Sequence, residues 1–200
     1  MVIDLEQKIN TIHKNRSDIN EHIPTIVELA RECDHITEMG VRTVVSTWAW
    51  LAGAPKNGLF SYDLYNPKKW LGENLDPIKD VKDTAEAYGI KFKFTEADVC
   101  EIEIEETDLL FIDTWHVYDQ LKEELRLHSN KAKKYICFHD TTSFEHHGES
   151  NSSDNKWVGK LTPNKGVWDA VSEFLDENSD IWELKKRYKN NNGFTIIKRK

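Results

Sequence analysis

Residues 107–118 of the chain are Thr107-Asp108-Leu109-Leu110-Phe111-Ile112-Asp113-Thr114-Trp115-His116-Val117-Tyr118. The short apolar run inside this stretch is bounded by acidic residues, a pattern typical of a buried strand in a parallel sheet. The run stops at Asp113, and His116 follows in the predicted loop. Open α/β sheets bind their ligands at the carboxyl ends of parallel strands. The stretch therefore predicts both a strand and a ligand-binding edge.

A second stretch repeats this pattern about twenty residues later. Residues 134–138 form another apolar strand candidate, and His139 and Asp140 follow it directly. If the two strands are neighbours, their ends bring these two side chains to the same edge as Asp113 and His116. Carboxylates and imidazoles grouped in this way are typical of a metal site or an acid/base site.

Composition restricts the class of protein. A chain of 200 residues suits one compact domain. Its 35 acidic and 27 basic side chains give a formal net charge of -8, which argues against general binding to nucleic acid or to an anionic membrane. The N-terminus lacks an apolar signal core, and no segment approaches the roughly 18 apolar residues of a membrane span. We therefore expect a soluble, cytoplasmic protein. The three widely spaced cysteines predict reduced, mostly buried thiols without zinc-ligand spacing: Cys33, Cys100 and Cys137.

The predicted elements alternate after a helical start. Helical periodicity covers residues 5–13 and 23–33. Predicted strands cover residues 35–39, 59–62, 90–94, 108–112 and 134–138. Helices are predicted between them at residues 47–51, 77–88 and 118–129. This alternation indicates right-handed βαβ units and a parallel sheet covered on both faces.

The C-terminal part differs from this pattern. A predicted helix at residues 167–175 precedes strands at residues 181–188 and 194–198. The segment between the two strands is Asn190-Asn191-Asn192-Gly193, whose residue types accept positive φ and favour a hairpin. A parallel sheet that ends in an antiparallel hairpin restricts the set of doubly wound folds that the chain can adopt.

The first two strands suggest a cofactor edge. Gly40 follows the first strand, where a glycine allows close backbone approach, and Ser46 or Thr47 is the expected N-cap of the next helix. The N-terminus of that helix favours a carboxylate or phosphate. Asp63 ends the second strand, where a carboxylate can accept both hydroxyls of a ribose. A plain turn at Gly40 and a loop cap at Asp63 remain the alternatives.

Together these motifs resemble the class I S-adenosylmethionine-dependent methyltransferases. The resemblance covers roughly residues 30–198 and is similar to the branch that contains the cephalosporin-hydroxylase-like proteins and the sugar and macrolide O-methyltransferases. The motifs that carry it are Glu38-x-Gly40 with Ser46-Thr47, Asp63, Asp113-x-x-His116-x-Tyr118, His139-Asp140-Thr141 and Gly166-Val167-Trp168-Asp169. The resemblance implies a Rossmann-like, doubly wound α/β fold with a seven-stranded sheet, order 3-2-1-4-5-7-6 and strand 7 antiparallel. It also implies that helical residues 1–33 pack on a core of residues 34–200.

The resemblance implies a set of cofactor contacts. Glu38, Gly40 and Ser46 are expected beside the methionine part of S-adenosylmethionine. Asp63 is expected at the ribose, and Asp98, after the third strand, near the adenine. Asp98 as a solvated loop acid is the alternative.

The resemblance also implies metal ligands. Asp113, His139 and Asp140 occupy the positions at which metal-dependent members bind magnesium, and Asp113 also borders the expected cofactor. His139 stands where several such members have a second acid. Because magnesium prefers oxygen ligands, this histidine leaves Mn²⁺ or iron open beside Mg²⁺. The catalytic candidates are Asp113, His116 and His139, with His116 as base or as a group that orients its loop.

One position departs from the family pattern. Val44 stands where these methyltransferases usually have glycine, and a β-branched residue resists positive φ. Arg42 is either a partner for the cofactor carboxylate or a surface charge. Cofactor affinity therefore depends on how this turn is built.

The expected function is methyl transfer to a small hydroxylated metabolite or sugar, with no nucleic-acid or membrane partner. A homo-oligomer is compatible with the sequence. Residues 142–165 are predicted to be a substrate lid, and residues 15–22, with Asn20, Glu21 and His22, are weaker acceptor contacts. Two alternatives stay open: a methyltransferase-like binding module that has lost catalysis, and another metal-dependent enzyme on the same fold.

Overall fold

A computed structural model describes residues 2–149 and 161–200 of the chain. Within these residues one sheet contains seven strands in the order β3-β2-β1-β4-β5-β7-β6. The strands are β1 (His35–Met39), β2 (Gly58–Asp63), β3 (Phe92–Glu96), β4 (Thr107–Ile112), β5 (Ala132–His139), β6 (Trp182–Tyr188) and β7 (Phe194–Arg199). The helices are α1 (Leu5–Lys14), α2 (Ile23–Arg31), α3 (Val45–Ala52), α4 (Lys68–Leu71), α5 (Pro77–Ala87), α6 (Tyr118–His128) and α7 (Val167–Glu177).

Strand direction follows the expected pattern. Strands β1 to β5 pair in parallel, and β7 pairs antiparallel with β5 and β6. The turn between β6 and β7 places Asn191, Asn192 and Gly193 at positive φ, as their residue types predict. The predicted strand order and the antiparallel seventh strand are therefore confirmed.

Apolar side chains fill both faces of the sheet. On one face, Ile23 and Ile26 of α2 and Trp50 of α3 belong to the same buried cluster as Phe111 of β4. On the other face, side chains of α6 and α7 join the alternate residues of β4 and β5. Burying each large apolar side chain contributes about 1.5–3 kcal/mol, so these faces hold the strand ends in place.

The start of α3 differs from the prediction. Ser46 or Thr47 as N-cap is wrong, because the helix begins at Val45 and its N-cap residue is Val44, at φ 59°. Both hydroxyls are instead bonded to the carboxylate of Glu38. Two hydroxyls that could have capped the helix instead donate hydrogen bonds to a buried carboxylate.

The cysteines agree with a further expectation. None of the three cysteines, which all lie in the described residues, forms a disulfide, and two of them, Cys33 and Cys137, are buried. None of the helices in the described residues is long and apolar enough to cross a membrane.

Candidate active site at the carboxyl edge of the sheet

The ends of β4 and β5 bring the predicted metal ligands together. Parallel pairing sets Ile112 beside Phe138, so the loops that follow these residues are adjacent. Asp113 Oδ1 lies 3.3 Å from His139 Nδ1, and Asp140 Oδ2 lies 3.0 Å from the same nitrogen. One ligand atom from each of these three residues lies within 4.8 Å of the others. The two carboxylates therefore lie close enough to share one cation, as expected, and cation binding itself stays a prediction. We call this region the β4–β5 edge.

His116 contacts the same two carboxylates. Its Nε2 lies 3.3 Å from Asp113 Oδ1 and 3.0 Å from Asp140 Oδ2. Its Nδ1 lies 2.9 Å from Glu149 Oε2. Sequence reasoning did not identify Glu149, because it lies in a polar loop without periodicity or a motif.

The charges at this edge compensate one another. Burial lowers the pKa of His139, but the charge of Asp113 and hydrogen bonds to Asp113 and Asp140 raise it to about 10. Burial also lowers the pKa of His116, and hydrogen bonds to its three carboxylate partners more than offset this and hold it well above the usual value. Burial raises the pKa of Asp140, yet the hydrogen bonds from both imidazoles bring it below its ordinary value. Negative and positive groups here depend on each other for their charge.

The surroundings of His139 suit a metal ligand. Its Nε2 lies 3.0 Å from the main-chain oxygen of Asp18 and 3.3 Å from that of Asn191. Carbonyl oxygens only accept, so Nε2 carries a hydrogen. Nδ1 donates to the two carboxylates here, and it is the nitrogen that would bind a cation once its own hydrogen is lost. A hydrogen bond from the second ring nitrogen to a carbonyl is the usual support of a metal-binding histidine. Asp140 Oδ1 is buried and has no hydrogen-bond partner in the described residues, so a further acceptor is available.

Glu38, at the end of β1, is fully buried. Its carboxylate accepts hydrogen bonds from Ser46 Oγ at 2.7 Å, Thr47 Oγ1 at 2.9 Å and Ser61 Oγ at 2.7 Å. Burial raises the pKa of Glu38 to about 7, although these hydroxyls lower it. The hydrogen bond between Glu38 and Ser46 therefore links the end of β1 to the first turn of α3. Contact of either residue with the cofactor stays a prediction.

Gly40 is required by the approach of two loops. Its φ is 87°, and a Cβ added there would lie 1.9 Å from the carbonyl oxygen of Asp113. Main-chain bonds also join Gly40 to Tyr62 and Asp113 to Met39. The glycine thus connects the β4–β5 edge to the ends of β1 and β2, which we call the β1–β2 edge.

Asp63 orders the turn after β1. Its Oδ2 accepts the main-chain N–H groups of Val41 at 2.7 Å and Arg42 at 2.9 Å, and its Oδ1 accepts that of Tyr65 at 2.9 Å. A carboxylate has about four acceptor positions, so one remains for a ligand hydroxyl. The predicted ribose contact of Asp63 stays a prediction.

Two further features lie at the β1–β2 edge. No side chain in the described residues caps α3, so the N–H groups of its first turn face outward from the helix end. Leu64, directly after Asp63, is an apolar side chain with 47% of its surface exposed. Arg42 also has positive φ, and its guanidinium donates to Asp18 Oδ2 at 2.9 Å, so it is engaged at the surface.

Asp98 lies in the loop after β3. Its Oδ1 accepts the main-chain N–H of Cys100 at 2.9 Å, which closes a local turn. Contact with an adenine stays a prediction for this residue.

The weaker acceptor candidates have structural partners. His22 is 1% exposed and stacks on Phe194, with ring centroids 5.3 Å apart. Glu21 accepts from Asn190 Nδ2, and Asn20 donates from its side chain to the carbonyl of His13. Residues 17–22 are thus bonded to the β6–β7 hairpin and to α1, which leaves little of them for an acceptor.

Nearly half of the predicted lid, positions 150–160, lies outside the described residues. In the described part, His146 Nδ1 lies 2.9 Å from Asp169 Oδ1, so this exposed histidine is bonded to α7. Trp115 is half-buried, and its indole N–H has no hydrogen-bond partner in the described part of the chain.

Comparison with known proteins identifies the fold. The chain matches no protein-family model and no curated protein. A candidate caffeoyl-CoA O-methyltransferase from Staphylococcus aureus superimposes with a TM-score of 0.61 and 12% identity, covering 98% of this chain and 99% of that chain. An SAH-bound methyltransferase from Podospora anserina gives a TM-score of 0.56 and 16% identity, covering 98% and 87%. A candidate O-methyltransferase from Klebsiella pneumoniae gives 0.56 and 13%, covering 98% and 89%. This chain therefore has the Rossmann-like fold of these methyltransferases.

Proposed function

We propose that the protein is an S-adenosylmethionine-dependent O-methyltransferase that acts on a small hydroxylated metabolite or sugar. The observation that carries the proposal is the position of the β4–β5 edge. The loop that carries Asp113 lies against Gly40, and Gly40 precedes the turn into the uncapped start of α3. The groups proposed to bind a methyl donor and to activate a hydroxyl therefore lie on adjoining loops.

The β1–β2 edge has features that suit the donor. The first-turn N–H groups of α3 favour a carboxylate, as in the amino-acid part of S-adenosylmethionine. Asp63 retains one acceptor position for a ribose hydroxyl, and exposed Leu64 offers an apolar surface to an adenine. When bound, S-adenosylmethionine supplies a sulfonium methyl group, which the acceptor oxygen takes as S-adenosylhomocysteine is released.

The β4–β5 edge has features that suit a divalent cation. Asp113 Oδ1, His139 Nδ1 and Asp140 Oδ2 would hold it, and Asp140 Oδ1 adds a free acceptor. A donor set of mixed nitrogen and oxygen suits Mn²⁺ better than Mg²⁺, which prefers oxygen alone. Such a cation lowers the pKa of a bound hydroxyl.

The two histidines of this edge have different proposed roles. The carboxylates of Asp113 and Asp140 hold a proton on His116 Nε2. In the ring that has lost this proton, Nε2 would take the proton of the acceptor hydroxyl, because this nitrogen points at the edge where the hydroxyl would bind. His139 holds its ring through two carbonyl groups and keeps Nδ1 directed inward. Methyl transfer needs the reacting atoms held about 3 Å apart, with no further covalent help from the protein.

A second candidate is a binding module that has lost catalysis. Val44 and Arg42 hold positive φ at the turn where the resemblance expects glycine, and most of the acceptor capacity of Asp63 is used internally. A turn built in this way can bind the donor weakly.

Calorimetry with S-adenosylmethionine and S-adenosylhomocysteine, with and without Mg²⁺ or Mn²⁺, tests the proposal. It is followed by transfer of a labelled methyl group to a pool of hydroxylated acceptors. We expect binding of both compounds and transfer that depends on the cation. Binding without transfer would favour the module, and no binding of either compound would overturn both readings.

A further inference from the structure

We propose that Arg187, on β6, is a positioning residue for the β4–β5 edge. It holds the loop that follows β5, and through this loop it places the carboxylate of Asp140. The inference rests on the proposed function for the cation that Asp140 would bind, but the hold on the loop can be measured without any cation.

The loop after β5 needs support because its first residue has an unfavourable backbone conformation. Asp140 is buried and has φ 58°, in the left-handed region that residues with a Cβ adopt uncommonly. Aspartate tolerates this region better than most residues, but such a conformation persists only where the surrounding structure fixes it. The contacts of the residues that follow therefore decide where the Asp140 carboxylate points.

Arg187 contacts this loop at two acceptors. Its Nη2 donates to the main-chain oxygen of Thr141, directly after Asp140, at 3.0 Å and to Glu145 Oε1 at 2.8 Å. The guanidinium carbon lies 3.6 Å from the centroid of the Trp168 ring on α7, so the flat group stacks on the indole. One side chain thus joins the loop to the edge strand β6 and to helix α7.

The hairpin fixes both Arg187 and the start of the loop. Only 13% of the Arg187 side chain is exposed, and its register partner on β7 is Thr195. Thr195 Oγ1 lies 2.8 Å from Thr141 Oγ1, and both residues are buried. Thr141 is therefore held by the hairpin at its side chain and, through Arg187, at its main chain.

The same loop carries a second group of the site, Phe144. Its main-chain N–H donates to the carbonyl oxygen of Asp140 at 3.1 Å, which closes the turn, and its ring stacks on His116 with centroids 4.8 Å apart. A shift of the loop at Thr141 would displace both the Asp140 carboxylate and the ring that packs on His116. Arg187 therefore acts on the site through the main chain of the loop, without touching a ligand itself.

The hairpin offers a matched pair of arginines for the test. Arg187→Met removes the guanidinium and keeps an unbranched side chain against Trp168. The control is Arg199→Met, because Arg199 Nη1 donates to the main-chain oxygen of Ala132 at 3.1 Å and its guanidinium lies 5.5 Å from the centroid of the Trp182 ring. These contacts are of the same kind but lie at the opposite end of β5. Arg187→Lys, which keeps the charge, is the milder variant for the case that Arg187→Met folds poorly.

Two properties of the full chain are measured. Hydrogen exchange, followed by NMR without any cation, reports the main-chain N–H groups of Thr142, Ser143 and Phe144, which donate to Asn192 and Asp140. Calorimetry with Mn²⁺ alone reports the affinity of the β4–β5 edge for the cation.

In Arg187→Met we expect the three loop N–H groups to exchange about 10-fold faster, while those of β4 keep their rates, because hydrogen bonds from a charged group are lost locally. Loss of a supporting group outside the ligand shell costs about 10- to 100-fold in metal affinity, so Mn²⁺ should bind about 10-fold more weakly. Arg199→Met should match the wild type in both properties. Arg187→Lys should show smaller changes in the same directions.

Three results would overturn the proposal. The first is loop exchange in Arg187→Met equal to that in Arg199→Met. The second is exchange that accelerates as much in β4 as in the loop, because that is a general loss of stability. The third is a faster-exchanging loop with unchanged Mn²⁺ affinity, which would show that the hold does not reach Asp140. If the wild type binds no Mn²⁺, the proposed cation site fails, and the exchange rates alone decide whether Arg187 positions the loop.

Discussion

The two edges of the sheet use their carboxylates differently. At the β1–β2 edge, Glu38 is bonded to three hydroxyls and Asp63 to three main-chain N–H groups. At the β4–β5 edge, Asp113 and Asp140 face two imidazoles, and one buried oxygen of Asp140 has no partner in the described residues.

This difference separates carboxylates that order a turn from carboxylates that are available to a ligand. Acids that accept hydrogen bonds from neutral donors of their own chain are satisfied without a ligand. The carboxylates of the β1–β2 edge therefore order the turn after β1 and do not need a ligand to do so. Acids that face histidines form a group of charges that a cation can reorganise, because both residue types are metal ligands. The donor compound is thus expected to use the turn, and a metal the β4–β5 edge.

The largest effect is expected at Asp140. Loss of a supporting group outside the ligand shell costs about 10- to 100-fold in metal affinity, so loss of a direct ligand in Asp140→Asn should cost about 1,000-fold for Mn²⁺, about 4 kcal/mol. Calorimetry with Mn²⁺ alone measures this. The control is Asp169→Asn, which removes the carboxylate bonded to His146 on α7. Equal Mn²⁺ affinity in Asp140→Asn and the wild type would remove the cation from this edge.

Glu38 should make stability depend on pH. Its pKa is about 7 in the fold against 4.5 for the free group, so between these values the folded state binds more protons than the unfolded state. Stability from this group is therefore present at low pH and lost as pH rises to 7, by about 3 kcal/mol at 1.36 kcal/mol per pKa unit. Glu38→Gln should remove this dependence.

Urea unfolding of both proteins at pH 5 and pH 8 measures it. Glu124→Gln is the matched variant, because burial raises the pKa of Glu124 to about 7 as well and its oxygens are bonded to Thr114 and Gln120. If wild type and Glu38→Gln lose the same stability between the two pH values, the buried acid does not titrate there.

Asp63 should affect the donor compound more than the fold. Hydrogen bonds to a charged group contribute about 1.5–3 kcal/mol, so Asp63→Ala should weaken S-adenosylhomocysteine binding by about that amount through the lost ribose contact and a looser turn. Asp63→Asn, which keeps one acceptor oxygen, should show a smaller loss. Calorimetry that gives one affinity for all three proteins would exclude Asp63 from the donor site.

The fold was predictable from sequence because its signals are local and repeated. Apolar runs ending in polar residues gave the five parallel strands, and Asn190 to Gly193 indicated the hairpin. Parallel pairing then brings Asp113 to Asp140 with no information beyond strand order. Roles set by contacts between distant segments were not predictable. Glu149 reaches His116 from 33 positions away, and the Asp18 carbonyl reaches His139 from 121.

The position of the turn at Val44 was predictable from sequence, but the residue that caps the following helix was not. The sequence indicates a helix start there, and hydroxyl residues are the usual caps. The competing demand came from Glu38, whose burial requires donors, and Ser46 and Thr47 meet that demand. A buried acid eight residues before Ser46 thus decides the cap, which no local pattern records.

The smallest effect is expected at Val44. A non-glycine residue in the left-handed region costs about 1–2 kcal/mol, and Val44 at φ 59° also buries its side chain. Val44→Ala loses burial and keeps most of the strain, whereas Val44→Gly loses slightly more burial and removes the strain. Although glycine is normally the less stable choice by about 0.5–1 kcal/mol, here Val44→Gly should be at least as stable as Val44→Ala in urea unfolding. It should also bind S-adenosylhomocysteine more tightly than the wild type, because an unbranched turn lets the ligand approach the first N–H groups of α3. A glycine variant that is clearly less stable than the alanine variant would show that this turn carries no strain. Replacing Val44 would then have no strain to relieve, and tighter binding of S-adenosylhomocysteine at the β1–β2 edge would not be expected.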